Sequence, residues 1–116
     1  MPVDLRPSQA LRLWHDVVLD LVRGEAADLT TRQMTVLLTV YLEPPPHTVR
    51  GLAAKLGVTK PVVTRALDTM GKLGLLARVR DDEDRRNIVV VGTPKGQSYL
   101  GRLAELVAAC AAESTR

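Results

Sequence analysis

Between Thr48 and Val91 the apolar residues hold helical spacing through two short runs and then switch to strand-like alternation. This change of period constrains the fold more than any other feature of the chain. Thr48 is suited to cap a short helix from Val49 to Leu56, which Gly57 closes. After Val58, Thr59 is placed to cap a second helix, and Pro61 can enter its first turn because first-turn amides have no intrahelical partner. That helix is expected to run to Leu73 and stop at Gly74. Val63, Ala66, Leu67 and Met70 then face inward, and Lys60, Pro61, Val62, Thr64, Arg65 and Thr69 face outward. Two short helices joined by a tight glycine-containing turn make a helix-turn-helix pattern. Leu75 to Arg80 reads as a strand, Asp81 to Arg85 as a turn and Asn87 to Val91 as a β-branched returning strand. A charged hairpin in that place is a wing.

The flanks read as helices. The first is expected to begin near Ser8, as N-cap, and to run to Arg23 with Gly24 closing it. Leu11, Trp14, Val18, Leu21 and Val22 recur on it at three- and four-residue spacing. The next opens at Thr30, where Thr30 and Gln33 have capping-box spacing. Met34, Leu37, Leu38 and Tyr41 form its apolar stripe, and Pro44-Pro45-Pro46 stops it. Thr93-Pro94 starts a last helix reaching about Ala112. A helix of about 19 residues spans roughly 28 Å, more than a small lobe can cover. Its Leu100, Leu103, Leu106, Val107, Cys110 and Ala111 also spread around more than one face. A second copy of the chain is the simplest cover for that surplus. Leu11, Trp14, Val18, Leu103, Leu106, Val107 and Cys110 are the expected dimerisation residues; the alternative packs both helices wholly within one domain. The expected fold is mostly α with a small antiparallel β-wing (α+β), a winged helix-turn-helix flanked by N- and C-terminal dimerisation helices. A single domain covers 1–116, with the DNA-binding lobe at about 48–91 and the dimerisation helices at 8–24 and 94–112.

Composition narrows the function classes. At 116 residues, 46% apolar and 25% charged, the chain has the size and balance of one globular domain. No apolar run reaches the roughly 20 residues of a membrane span, and Met1 to Pro7 lacks the basic-then-apolar order of a secretory leader. A cytoplasmic, nucleoid-associated location in a prokaryote is expected. Phe is absent, so the core must be aliphatic. The net charge of +3 is unevenly spread. Thr48 to Asn87 carries nine basic residues against five acidic, and the remainder is net negative by one. A basic centre suits a surface that meets phosphates. Catalysis finds no support: there is no phosphate-cradling loop and no dinucleotide fingerprint. His15, His47 and Cys110 do not supply a metal set at plausible spacing. No catalytic residue, metal or cofactor is expected, and Cys110 suits packing better than redox chemistry.

The run from Leu52 to Asp68, followed by Gly74-Leu75-Leu76-Ala77-Arg78, resembles the winged helix-turn-helix of MarR-family transcriptional regulators. Asp81-Asp82-Glu83-Asp84-Arg85-Arg86 resembles the family's Asp-x-Arg wing signature. Gly92-Thr93-Pro94-Lys95-Gly96 resembles its Leu-Thr-x-x-Gly start of the next helix, with glycine in place of leucine. The likeness covers roughly Thr30 to Leu106. It implies a dimeric DNA-binding regulator, usually a repressor, often released by a small-molecule effector or by oxidation.

A helix in the major groove reads bases from its N-terminal residues, which points to Lys60, Pro61, Val62, Thr64 and Arg65. Arg65 is the residue suited to a bidentate contact with guanine, and Pro61 and Val62 can meet a thymine methyl. Thr59, as a cap, leaves amides turned toward a phosphate. The resemblance implies that Asp84 pairs with the wing arginine and directs Arg86 into the minor groove, where narrow A·T tracts are most negative. Arg80 and Arg85 are expected on phosphates, as are Arg50 and Lys55. The leading reading is a sequence-specific regulator, a repressor, that binds a pseudo-palindromic operator in double-stranded DNA as a homodimer. The alternative is a winged-helix adaptor that docks on another regulator or a polymerase subunit.

Overall fold

The computed structural model describes residues 4–115; Met1–Val3 and Arg116, at the two ends of the expected 1–116 span, lie outside the described residues. Its described elements are α1 (Pro7–Arg23), α2 (Thr31–Leu42), α3 (Val49–Leu56), α4 (Lys60–Lys72), β1 (Leu76–Arg80), β2 (Ile88–Gly92) and α5 (Pro94–Ser114). The two strands form one antiparallel sheet, with Arg78 opposite Val90 and Arg80 opposite Ile88. This is the expected α+β winged helix. The contacts divide it into two compact units, 29–100 and the pair of segments 1–28 and 101–116.

The larger unit is a helix-turn-helix with its wing. Its core is aliphatic: Val36 and Leu37 of α2, Leu52 and Ala53 of α3, Val63, Ala66, Leu67 and Met70 of α4, then Leu75, Leu76 and Val90. The inward stripe expected of α4 is buried in full. α2 contributes two fully buried residues, so this lobe reaches back to Leu29. Caps set the ends as chemistry requires. Thr30 Oγ1 accepts from Gln33 N at 3.1 Å while Gln33 Oε1 accepts from Thr30 N at 2.9 Å, closing the capping box. Thr48 Oγ1 accepts from Gly51 N at 3.0 Å. Gly57 ends α3 at φ 69°, a left-handed conformation that glycine adopts without penalty. α4 stops at Lys72, a residue before the expected end, with Leu73 as C-cap and Gly74 at φ 75°.

One connection escapes the sequence pattern. The proline segment after α2 is not only a stop, because His47 forms a bridge to Val90 beside β2, its carbonyl accepting from Val90 N at 2.8 Å. The His47 side chain is buried, and its Nε2 lies 3.1 Å from the Glu43 carbonyl.

The smaller unit holds α1 and the distal part of α5. α1 begins two residues earlier than expected, and Ser8 is not its cap. Arg6 is the N-cap and Pro7 the first helical residue, a position where proline loses no hydrogen bond. Gln9 Oε1 accepts from Arg6 N at 2.9 Å. Gly24 closes the helix in an extended conformation (φ −72°), not a left-handed one. The single buried residue of α1 is Val17, flanked by half-buried Leu13 and Leu21 at four-residue spacing. The expected stripe therefore divides: Leu21 turns inward, while Leu11, Trp14 and Val22 are 70%, 62% and 71% exposed. α5 extends two residues past the expected Ala112.

Candidate nucleic-acid interface

α4 presents its outward face as its cap and periodicity dictate. Lys60, Pro61 and Arg65 are exposed and Val62 and Thr64 half-exposed, all in the first turn and a half. Thr59 has N-cap backbone geometry but its side chain makes no capping bond, so its hydroxyl does not occupy the first-turn amides. Among the described residues Lys60 and Arg65 form no ion pair. An uncommitted guanidinium on the opening turns of an exposed helix is the donor that a guanine edge or a phosphate needs.

The wing is joined to that helix by a pair the sequence reading passed over. Arg78 Nη2 lies 2.7 Å from Asp68 Oδ1, linking the middle of β1 to the ninth residue of α4. Arg65 and Asp68, three residues apart, share a face of α4, so Arg65 stands on the side of the helix that meets the wing. Arg78 and Arg80 alternate onto one face of β1. Arg80 Nη1 then donates to the Arg85 carbonyl at 2.8 Å and braces the hairpin tip. No spacing in the sequence signals this link, because Asp68 and Arg78 lie on different elements that only folding brings together.

The tip is ordered from within. Asp81 N donates to the Asn87 carbonyl and Asn87 N to the Asp84 carbonyl, each at 2.9 Å. Asp84 grips Arg86 three times: Oδ1 accepts from Arg86 Nε and from its backbone N, each at 3.1 Å, and Oδ2 accepts from Nη2 at 3.2 Å. These side-chain and backbone hydrogen bonds hold the Asp84 carboxyl below the usual carboxylate range. The Arg86 side chain is nonetheless 91% exposed, so it is aimed without being covered. Arg85 is exposed as well. Asp81 does a turn's work, accepting from Glu83 N at 3.0 Å.

Of the two further cations expected on phosphates, Arg50 is exposed on the first turn of α3. Lys55 instead pairs with Glu43 at 3.2 Å, and both line a small cavity of about 260 Å³ together with Thr39, His47 and Leu52. In the smaller unit, Val18, Leu103, Leu106 and Cys110 are half-buried and Val107 is 38% exposed. Burial pushes the Cys110 thiol up, and the carboxylates of Asp16, Asp20 and Glu113 push it the same way. Among the described residues no helix is long and apolar enough to cross a membrane.

A model of the MarR family matches residues 27–87, more than half of the chain and all of the lobe from α2 to the wing tip. The chain belongs to the MarR family. Solved structures agree with that placement. The transcriptional regulator Tm0710 of Thermotoga maritima is 26% identical, with a TM-score of 0.72 over 87% of this chain and 68% of its own. The transcriptional repressor CouR, solved bound to a 23-mer DNA duplex, is 29% identical, with a TM-score of 0.70 over 91% of this chain and 72% of its own. YusO of Bacillus subtilis, at 20% identity, shares the fold with a TM-score of 0.74 over 91% of this chain and 72% of its own. The family and fold are those of transcriptional regulators. Gly92, the last residue of β2, packs against Tyr41 of α2. A Cβ there would lie 2.7 Å from Tyr41 Cζ, so the tyrosine ring fills the place of the missing side chain.

Proposed function

We propose that this MarR-family protein is a transcriptional repressor that binds a pseudo-palindromic operator in double-stranded DNA as a homodimer. The observation that carries the reading is the joined set of cations in the lobe. Arg65 lies on the wing side of α4, Asp68 and Arg78 tie that helix to β1, and Asp84 directs an exposed Arg86 beyond it. Such a set supports a helix in the major groove and a hairpin in the adjacent minor groove. Lys60, Pro61, Val62, Thr64 and Arg65 would meet base edges, with Thr59, Arg50, Arg80 and Arg85 near phosphates. Repression is favoured by the likeness to CouR, a repressor solved on DNA. Dimerisation is favoured by α1, where Leu11, Trp14 and Val22 leave an apolar stripe in solvent. A small-molecule effector belongs to the same reading through the family resemblance.

The test is a binding series on an operator selected from random duplexes. Arg65→Ala should cost about 1–3 kcal/mol on the selected sequence and relax its base preference. Arg85→Ala should weaken all sequences alike and reduce the salt slope by about 0.9. Unchanged operator preference in Arg65→Ala would overturn the assignment of α4 as the reading helix.

A further inference from the structure

Apart from the cationic face, the lobe holds the cavity of about 260 Å³ where α2 ends and α3 begins. Thr39 and Glu43 stand four residues apart at the end of α2, and Gly51 and Lys55 four apart on α3, so each pair shares one side of its helix. Pro44 and Pro46 of the connecting loop, with Leu52, give the cavity an apolar lining.

The two helix ends that meet there are of opposite polarity. The last carbonyls of α2 carry the negative end of its dipole, and no basic residue in the last turn offsets it. Glu43, the C-cap, adds a carboxylate at the end of a helix that favours one least. The first amides of α3 carry the positive end of its dipole, and no acidic residue lies in that turn. Lys55 lies 3.2 Å from Glu43, yet the two side chains remain 52% and 49% exposed, open to a competing solute. His47 also lines the cavity and is only 8% exposed. Its Nε2 faces the Glu43 carbonyl at 3.1 Å, and a carbonyl can only accept, so the neutral ring carries its proton there. Nδ1 is then an acceptor, with no hydrogen-bond partner among the described residues.

We propose that this cavity binds a small aliphatic amino acid as its zwitterion, the ammonium toward Glu43 and the end of α2, the carboxylate toward Lys55 and the start of α3. A simple anion gains Lys55 only by displacing Glu43, and then lies beside that carboxylate; a simple cation meets the mirror problem at Lys55. A molecule with both charges leaves neither side chain unpaired. The volume falls below the roughly 300–1,000 Å³ of pockets for drug-sized ligands, which suits a molecule of about the size of valine or leucine. Pro44, Pro46 and Leu52 suit its apolar side chain. The proposal goes beyond the operator-binding reading and does not depend on it.

The experiment titrates L-valine, then L-leucine, into the purified full chain without DNA and follows its backbone amide resonances. Saturable shifts are expected at His47, Thr48, Gly51 and Lys55, with a Kd of about 1 mM or tighter for at least one of the two. For the one that binds, the N-acetyl form, which lacks the ammonium, and the amide form, which lacks the carboxylate, should each bind about tenfold more weakly. Lys55→Met and Glu43→Gln should each weaken binding about threefold or more. Lys72→Met, at an exposed lysine outside the cavity, should leave it unchanged. The absence of saturable shifts with both amino acids overturns the site. Equal binding of the N-acetyl or amide form overturns the zwitterion, and a loss in Lys72→Met equal to that in Lys55→Met overturns the assignment of Lys55. The comparison of free and blocked amino acids uses the wild-type chain, so it decides the matter even where a variant fails to fold.

Discussion

The two compact units solve the problem of an aliphatic core in opposite ways. The lobe from Leu29 to Leu100 closes on itself: eleven apolar residues from three helices and both sides of the wing are buried together. Its helices α2 and α3 open on threonine caps, and the Tyr41 hydroxyl both donates and accepts within it. In the unit of α1 and distal α5 a single residue, Val17, reaches that burial, and Leu11, Trp14 and Val22 stay in solvent. The lesson is that an apolar stripe of good helical spacing does not announce what it packs against. Α-helical periodicity is equally served by a core within the chain and by a partner's surface. A region that meets its own needs should tolerate isolation; one that leaves about three large apolar side chains exposed should not.

That contrast can be broken at Gly96. Gly96→Ala places a methyl against the Leu75 carbonyl and the Tyr41 hydroxyl, neither of which can yield without opening the lobe. A loss of about 3–5 kcal/mol is expected in urea unfolding. A loss under about 1 kcal/mol would mean that the lobe is less tightly closed than its burial indicates. The second variant addresses the other unit. Trp14→Glu combined with Val22→Glu should convert a dimer to a monomer by light scattering and make unfolding independent of protein concentration. The unfolding of the lobe itself should change by no more than about 0.5 kcal/mol. Retention of the dimer would show that the α1 stripe is not its seam.

The smallest effect concerns acid. The Asp84 carboxyl is held below its ordinary range in the folded wing, so its contribution is present above the unfolded value and is lost as pH falls through the folded one. Between neutrality and the ordinary carboxylate range, near pH 4, the Arg86 side chain should keep its orientation, seen as an unchanged guanidinium resonance in NMR spectra. Release should come only below that range. Loss of Arg86 order at higher pH would show that Asp84 does not hold it.

Much of the lobe was legible because its signals are local. Thr30, Thr48, Gly57 and Gly74 act on their own turns, and the α4 stripe of Val63, Ala66, Leu67 and Met70 faces the core whatever that core contains. The outward set from Lys60 to Arg65 follows from the same periodicity. Asp68 and Arg78, His47 and Val90, and Tyr41 and Gly92 were not legible, since each joins residues that only folding brings together. The α1 cap shows a local failure: serine is a strong cap by preference, but Pro7 fits the first helical position and moved the start to Arg6.

By itself, then, the sequence determined which segments become helices and strands and which family the chain joins, because those follow from short-range backbone chemistry and from an ordered set of motifs. Tertiary structure alone decided which apolar stripe is covered, how the wing is tied to its helix and how α5 is rooted. Those depend on distances between residues ten to fifty positions apart, and no periodicity encodes them.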